Sequence, residues 1–146
     1  MDFLYKPPMI IRKLFSGIIW ENEENEIIIT VDDGPSENTG KVLQSLERFG
    51  IKAVFFCTGK NIEKYPDEFN SIIKAGHSVQ NHGYRHRRMI FKNQRDSSKE
   101  ILRTNKTIKD LTGQSPIMFR PPYGWFNTNT IRAVSDNGMK LMLWTI

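Results

Sequence analysis

Apolar and polar positions along the chain fall into blocks that predict strands and helices in turn. Residues 27–31 form a continuous β-branched run closed by a turn, which is typical of a strand buried on both faces. Residues 38–49 place apolar side chains three and four positions apart, which predicts a helix ending before Gly50. The same patterns predict further strands at residues 53–58, 77–81, 117–119 and 140–146, and further helices at residues 61–75, 94–112 and 127–137.

This alternation predicts an α/β fold with a parallel sheet of about five strands. Three polar segments, residues 32–35, 82–86 and 120–124, each follow one of the predicted strands. In parallel α/β folds the carboxyl ends of the strands meet on one side of the sheet. We therefore expect the three segments to converge on one site.

The composition is that of a single globular unit. With 146 residues and 38% hydrophobic side chains, the chain can build one core. Its formal charge of +5 fits either an ordinary solvated surface or attraction to acidic polymers. The single cysteine, Cys57, cannot form an intrachain disulfide and lies in an apolar run, so we expect a buried thiol.

We expect residues 1–25 to form an N-terminal extension and residues 26–146 to form the domain. No stretch approaches the ~20 apolar residues of a transmembrane helix. Arg12 and Lys13 interrupt the apolar start, and no small-residue cleavage site follows. The sequence thus predicts neither stable membrane insertion nor a signal peptide, and leaves a cytoplasmic and an envelope-associated location open.

Asp32 and Asp33 are adjacent at the end of the first predicted strand, where Gly34 and Pro35 bend the chain. Neighbouring carboxylates repel each other, and a metal ion bound by one of them would offset the repulsion and leave the other free as a base. A polar turn explains the pair equally well, because Asp-Gly and Gly-Pro are ordinary turn dipeptides.

His82 and His86 are four residues apart, a spacing that would place both imidazoles on one face of a helical turn. Two neutral imidazoles and one carboxylate suit Zn²⁺ or a similar ion and leave a position for water. The spacing alone is weak evidence, because surface histidine pairs are common. His77 lies within a predicted strand, so we expect it to be structural or to support the site indirectly.

Arg120 lies beside Pro121 and Pro122 in a stiff turn. The arginine could hold a carboxylate in a bidentate pair, and the prolines could aim the following N–H groups at an oxyanion. A rigid loop with an exposed arginine is the alternative. Trp125 and Trp144 could stack on sugar rings, but core packing is the expected role.

Together the three segments resemble the motifs of the polysaccharide deacetylases, the family 4 carbohydrate esterases built on the NodB homology domain. The first family motif, Thr-Phe-Asp-Asp-Gly-Pro, is similar to residues 30–35, with Val31 in the phenylalanine position. The second, a His-Ser/Thr-x-x-His pattern, is similar to residues 82–86, with Gly83 in the hydroxyl position. The third, Arg-x-Pro-Tyr, is similar to residues 120–123. The resemblance extends from about residue 27 to the end.

This resemblance implies a fold and a metal site. The fold is an incomplete, distorted (β/α) barrel of the NodB type, with about five parallel strands present. The family's metal ligands correspond to Asp33, His82 and His86, and the implied cofactor is a divalent metal ion, with Zn²⁺ as the best match.

The resemblance also implies a reaction. Asp32 corresponds to the general base, Arg120 orients it, and the Tyr123 backbone N–H helps to bind the oxyanion. A water deprotonated by Asp32 would attack the acetyl carbonyl. The implied function is removal of N-acetyl groups from an amino-sugar polysaccharide such as peptidoglycan or a chitin-like polymer, so the partner would be an acetylated glycan.

Two departures from the family pattern affect the expected activity. Gly83 removes a hydroxyl that could support the histidine loop. The family's later motifs are absent, including the histidine that protonates the leaving amine, and all three histidines of the chain lie upstream of that position. The family barrel has about seven strands, so we expect the chain to be an N-terminal portion with an open edge at its first strand. By itself it should be weakly active or inactive.

Two alternatives belong to other classes of protein. The first is a non-catalytic glycan-binding remnant of a deacetylase, which would hold acetylated sugars without turning them over. The second is nucleic-acid binding by the basic stretch of residues 85–109. No nucleic-acid motif accompanies that stretch, so a solvated helix face is expected there and no nucleic-acid partner is predicted.

Overall fold

The computed structural model describes residues 9–14, 17–20 and 27–144 of the chain. Strands and helices alternate along these residues, as the sequence predicts. The α-helices are α1 (Met9–Leu14), α2 (Thr39–Arg48), α3 (Gly59–Lys64), α4 (Pro66–Lys74), α5 (Gln94–Thr112) and α6 (Thr128–Asp136). The strands are β1 (Ile18–Ile19), β2 (Thr30–Gly34), β3 (Val54–Cys57), β4 (Ser78–Asn81), β5 (Met118–Phe119) and β6 (Lys140–Met142).

The strands form one parallel sheet in the order β1-β6-β5-β4-β3-β2. The expected α/β architecture with a parallel, unclosed sheet is therefore confirmed. Among the described residues the sheet has six strands rather than about five, because β1 pairs with β6 through Ile18 and Leu141. That extra strand falls within residues 1–25, the segment that the sequence assigned to an N-terminal extension.

Two clusters of buried apolar side chains hold helices against the sheet. One cluster joins β3 to α3, α4 and α5, with Phe55, Phe69 and Ile108 among its buried members. The other joins β5 and β6 to α5 and α6, with Phe119 and Leu141 buried at its centre. Since α5 contributes to both clusters, it ties the two halves of the sheet together. This continuous packing gives the strand ends a rigid base.

Helix α5 begins and ends where the sequence predicts, and its caps explain why. The Asn93 side chain accepts a hydrogen bond from the Asp96 N–H at 2.8 Å and so caps the first turn. Gly113 follows the helix with φ 74°, a left-handed conformation that glycine adopts without a Cβ penalty. Both signals are local, so the sequence is sufficient to place the helix.

The predicted helix at residues 61–75 is wrong as a single element, since the structure has two helices there. Tyr65 separates α3 from α4 with φ −128° and ψ 61°, which is not helical. The cause is Pro66, because proline disfavours helical geometry in the residue before it and serves well as the first residue of a new helix.

The predicted first strand at residues 27–31 is shifted towards its carboxyl end. Strand β2 covers Thr30–Gly34, while Ile27 is 91% exposed and lies outside any strand. Ile28 and Ile29 are also exposed, so the apolar run is not buried on both faces as expected. Among the described residues, strand β2 is at the edge of the sheet and pairs with β3 alone, which leaves the open edge expected at this strand.

The remaining elements differ from the predictions by a few residues. Strands β3, β4 and β5 are shorter at one or both ends, and the predicted strand at 140–146 is Lys140–Met142, with residues 145–146 outside the described part. Cys57 is fully buried, as expected. In the described part of the chain, no helix combines the length and apolar character that spanning a bilayer requires.

Candidate metal centre

Adjacent strand ends bring the three polar segments together. Strands β2, β3, β4 and β5 are neighbours in the sheet and run parallel, so their carboxyl ends lie side by side. Asp33 lies within the last residues of β2, His82 directly follows β4, and Arg120 directly follows β5. The convergence expected from the sequence thus results from strand order.

Asp33, His82 and His86 form a compact group of potential metal ligands. The Asp33 Oδ1 atom lies 2.8 Å from His86 Nε2 and 3.5 Å from His82 Nε2. One ligand atom from each residue falls within 4.8 Å of the other two. One carboxylate and two imidazoles at this separation could hold a metal ion, with further positions left for other ligands.

His82 is oriented by a hydrogen bond on the side away from this cluster. Its Nδ1 atom lies 2.7 Å from the Arg120 carbonyl oxygen, which can only accept. The Nδ1 atom must therefore carry the proton, and the Nε2 lone pair points to the cluster. His82 is only 2% exposed, so the ring is fixed by packing as well. An imidazole held in this tautomer fits a metal ligand.

The expectation that His82 and His86 share a helical turn is wrong. The segment between them is an irregular loop, in which Gly83 has φ 79° and His86 has φ 52°. The loop is held from outside: a Glu100 carboxylate oxygen accepts hydrogen bonds from the Tyr84 N–H at 3.2 Å and the Arg85 N–H at 2.9 Å. The rings converge because of this loop geometry and not because of helical spacing.

Gly83 has a conformational reason to lack a side chain. A φ of 79° is strained for any residue with a Cβ, so a serine or threonine would be disfavoured in this backbone geometry. The Gly83 N–H donates to the buried Asn81 Oδ1 at 2.7 Å. Asn81 in turn donates to the Ile101 carbonyl of α5 at 2.9 Å. The sequence analysis expected a hydroxyl at position 83 to support the histidine loop. In the structure, Asn81 supports this loop instead.

The backbone at Asp33 is also unusual and also supported. Asp33 has φ 63°, at a point where the pairing of β2 with β3 shifts its register. The Asn61 side chain donates to the Asp33 carbonyl at 2.7 Å. This left-handed geometry turns Asp33 and Asp32 apart, so that Asp33 contacts the histidines while Asp32 contacts Arg120. The two adjacent carboxylates are thus separated into different environments.

Arg120 is buried rather than exposed, and it braces Asp32. Only 1% of it is exposed, and its Nη1 donates to Asp32 Oδ1 at 2.7 Å and to Thr30 Oγ1 at 2.8 Å. Its Nη2 donates to the Leu143 carbonyl at 3.2 Å, and its Cζ lies 4.0 Å from the Phe56 ring centroid. The ion pair is monodentate in its contact with Asp32, since a single guanidinium nitrogen makes it.

Tyr123 lies beside the metal-ligand group with its backbone in an unusual conformation. Its φ is 60°, and its ring centroid is 4.5 Å from that of His86. Within the described part of the chain, the Tyr123 N–H donates no hydrogen bond. Trp125 and Trp144, which were expected in the core, are 46% and 45% exposed near this turn, so core packing is wrong for both.

The pKa shifts of Asp33 and His86 favour the protonation states that can bind a metal ion. The contact with the His82 ring lowers the pKa of Asp33 from its ordinary value, against the opposing effect of burial. Burial lowers the pKa of His86, although the Asp33 carboxylate acts in the opposite direction. At neutral pH, Asp33 is therefore charged and His86 neutral, and both have lone pairs available for a cation.

Several residues that position the site carried no signal in the sequence. Thr30, Asn61 and Glu100 act through contacts with distant segments, and polar residues of these types are common on surfaces. His77 lies outside the cluster, where its Nδ1 accepts from the Ala53 N–H at 3.2 Å. His77 thus links the residues that directly precede β3 and β4.

Comparisons with known proteins point to one family. A family profile described as polysaccharide deacetylase matches residues 21–142. The chain is 33% identical, over 122 residues, to a peptidoglycan-N-acetylglucosamine deacetylase of Bacillus cereus. That alignment covers 83% of this chain and 44% of the relative. The chain thus spans less than half the length of this curated relative.

Solved structures resemble the fold closely. A peptidoglycan N-acetylglucosamine deacetylase in complex with an N-hydroxybenzamide compound superposes with a TM-score of 0.86 at 29% identity, covering 96% of this chain and 66% of the other. A family 4 carbohydrate esterase from Bacillus anthracis, described as a pseudoenzyme, superposes with a TM-score of 0.80 at 25% identity, covering 87% of this chain and 46% of the other.

Proposed function

The chain belongs to the polysaccharide deacetylase family, and we propose that it acts in metal-dependent removal of N-acetyl groups from an amino-sugar polysaccharide. Peptidoglycan is the polymer named for the Bacillus cereus relative. We propose the same class of acetylated glycan as the partner of this chain. The proposed domain is residues 26–146, to which β1 adds an edge strand.

The observation that carries this proposal is the group formed by Asp33, His82 and His86. These residues come from two separate segments, yet their potential ligand atoms lie within 4.8 Å of one another. The His82 tautomer, fixed by the Arg120 carbonyl, directs a lone pair into the group. We propose that the three residues bind one divalent ion and that the ion is Zn²⁺, which this mixture of nitrogen and oxygen ligands suits.

The neighbouring residues supply the remaining chemistry of the proposed reaction. A bound divalent ion polarises the acetyl carbonyl and lowers the pKa of water. Asp32, held by Arg120, accepts a proton from the attacking water. The Tyr123 N–H donates to the oxyanion that develops on the acetyl carbonyl. Arg120 acts as a positioning residue, because it touches Asp32 and not the acetyl group.

A non-catalytic glycan-binding role is the second candidate, and one observation favours it. The leaving amine needs a proton, and the three histidines of the chain are His77, His82 and His86. His77 bonds to the Ala53 N–H away from the site, and the other two belong to the proposed metal site. No histidine of the chain is left to act as the general acid. A protein described as a pseudoenzyme shares the fold.

An assay of released amine distinguishes the two candidates. The Zn²⁺-loaded chain is incubated with N-acetylglucosamine tetramer, and free amine is measured over time. Deacetylation predicts release above the rate without protein. A chelator should abolish the release, and Asp32→Asn should lower it by ~10²- to 10⁴-fold. Asp110→Asn, at an exposed position on α5, is the control and should have no effect.

Two outcomes would contradict metal-dependent deacetylation. Release that persists in chelator would show that the metal has no part in it. Binding of the tetramer without any release would favour the non-catalytic role.

A further inference from the structure

Arg88 lies beside the proposed metal site, over two aromatic rings. Its Cζ is 5.5 Å from the Tyr123 ring centroid and 5.3 Å from the Trp125 ring centroid. Tyr123 is 55% exposed and also contacts His86 through its ring. Arg88 is thus one aromatic side chain away from a proposed metal ligand, and it is itself exposed.

The contacts of Arg88 leave its hydrogen-bonding edge available. A guanidinium that lies over aromatic rings uses its flat face, and its N–H donors point outward in the plane. Among the described residues, no carboxylate lies within 4.0 Å of Arg88. The rings restrict the motion of the side chain, so less conformational entropy is lost when a partner binds. The matching partner is a carboxylate, which accepts two parallel hydrogen bonds from arginine.

The rest of this loop is also positive. Arg85 and Arg87 are exposed on either side of His86. In the described part of the chain, no carboxylate lies within 4.0 Å of the guanidinium of either one. Positive charge concentrated on one loop raises the local concentration of anionic ligands and disfavours cationic ones.

We propose that Arg88 is a specificity-determining residue that pairs with a carboxylate carried by the glycan close to its acetylated amine. The preferred substrate class is then an acidic N-acetylated amino sugar rather than a neutral one. N-acetylmuramic acid has this chemistry, because its lactyl carboxylate is attached through the carbon next to the one bearing the acetamido group. This inference rests on the proposed function, which places the acetyl group at Asp33, His82 and His86.

Calorimetric titration of the Zn²⁺-loaded 146-residue chain tests this inference. The probes are a tetrasaccharide of alternating N-acetylglucosamine and N-acetylmuramic acid, the same tetrasaccharide with its carboxylates converted to amides, and a tetramer of N-acetylglucosamine. The wild type should bind the acid form about tenfold more tightly than the amide form, as a charge-assisted hydrogen bond allows. Arg88→Gln should reduce this ratio below about twofold. Arg95→Gln, at an exposed position early in α5, should keep the wild-type ratio.

The outcomes separate this inference from the proposed function. Equal affinity of the wild type for the acid and amide forms, with the neutral tetramer still bound, would overturn the role of Arg88 and leave the proposed function standing. A tenfold ratio that survives in Arg88→Gln would also overturn it. No binding of any of the three probes would contradict the proposed function and this inference together. Because Arg88 is exposed, the glutamine variant should fold, and its circular dichroism spectrum should match that of the wild type.

Discussion

Replacing Arg120 with lysine should lower the free energy of unfolding by about 2–5 kcal/mol. The guanidinium donates to three acceptors, on Thr30, Asp32 and Leu143, and its flat face lies over the Phe56 ring. A lysine ammonium keeps the charge and can retain the contact with Asp32. It has a single nitrogen, however, and cannot reach the Leu143 carbonyl at the same time. The lysine variant therefore separates the effect of the positive charge from the effect of the hydrogen bonds and the ring contact that need a guanidinium.

The magnitude follows from the contacts that are lost. A hydrogen bond from a charged donor contributes about 1.5–3 kcal/mol, and a guanidinium over an aromatic ring contributes about 0.5–2 kcal/mol. Losing one such hydrogen bond together with the ring contact gives about 2–5 kcal/mol. Typical domains have only about 5–15 kcal/mol of stability, so this loss is large.

Urea unfolding of the metal-free chain, followed by circular dichroism, measures the effect. Arg132→Lys, at an exposed position on α6, is the matched control and should change the unfolding free energy by less than about 0.5 kcal/mol. The carbonyl that accepts from His82 belongs to the backbone of residue 120 and remains in the lysine variant. The affinity for Zn²⁺ should therefore fall by less than ~10-fold. A loss of at least that size is expected only when a residue that hydrogen-bonds to a metal ligand is removed. An unfolding free energy of Arg120→Lys within about 0.5 kcal/mol of the wild type would refute this reasoning.

Two further predictions concern stability elsewhere in the fold. Gly59→Ala should destabilise the chain by about 1–3 kcal/mol, because a Cβ there would collide with the Tyr84 ring. Gly40→Ala should stabilise the chain by about 0.4–1 kcal/mol, because a Cβ there meets nothing within 4 Å. Thermal unfolding measures both variants, and equal changes in Tm would contradict both predictions. Burial lowers the pKa of His77, with Lys52 acting in the same direction, so its stabilising effect is present above about pH 6.5 and is lost as pH falls through the folded pKa. His77→Gln should therefore show a smaller loss of stability than the wild type between about pH 7 and pH 5 in urea unfolding, and an identical loss would contradict this role.

Much of the fold could be predicted from the sequence, because its signals are local. Helix α5 is defined by Asn93 and Gly113 at its ends, and both caps act within a few residues. Pro66 also signals the break at Tyr65. The prediction missed it because apolar residues continue at helical spacing on both sides of the proline. The exposure of Ile27 was not readable, because a β-branched run has the same pattern at the edge of a sheet and at its centre.

The convergence of the candidate site could be predicted from the sequence, but its detailed geometry could not. Strand ends placed Asp33, His82 and Arg120 on one side of the sheet, and parallel topology is enough to expect that. The loop conformation at His86 could not be predicted, because Glu100 of a distant helix helps to hold the loop. The burial of Arg120 could not be predicted either. It depends on Phe56 of β3 and on the Leu143 carbonyl after β6, which are both distant from Arg120 in the sequence.

The position of Arg88 over two rings was equally hidden. The aromatic residues Tyr123 and Trp125 are more than 30 positions away from Arg88, and nothing in the local sequence connects them. Long-range contacts of this kind determine which exposed arginines have a fixed orientation. The sequence gives their charge but not their direction.

Zn²⁺ titration of the metal-free chain tests the proposed site most directly. The wild type should bind one Zn²⁺ per chain, and Asp33→Ala, His82→Ala and His86→Ala should each weaken binding by at least ~100-fold, the upper end of the loss for outer ligand partners. His77→Ala should retain the wild-type affinity, because His77 contacts the Ala53 N–H instead. Equal Zn²⁺ affinity in the wild type and the three ligand variants would contradict a metal centre formed by these residues.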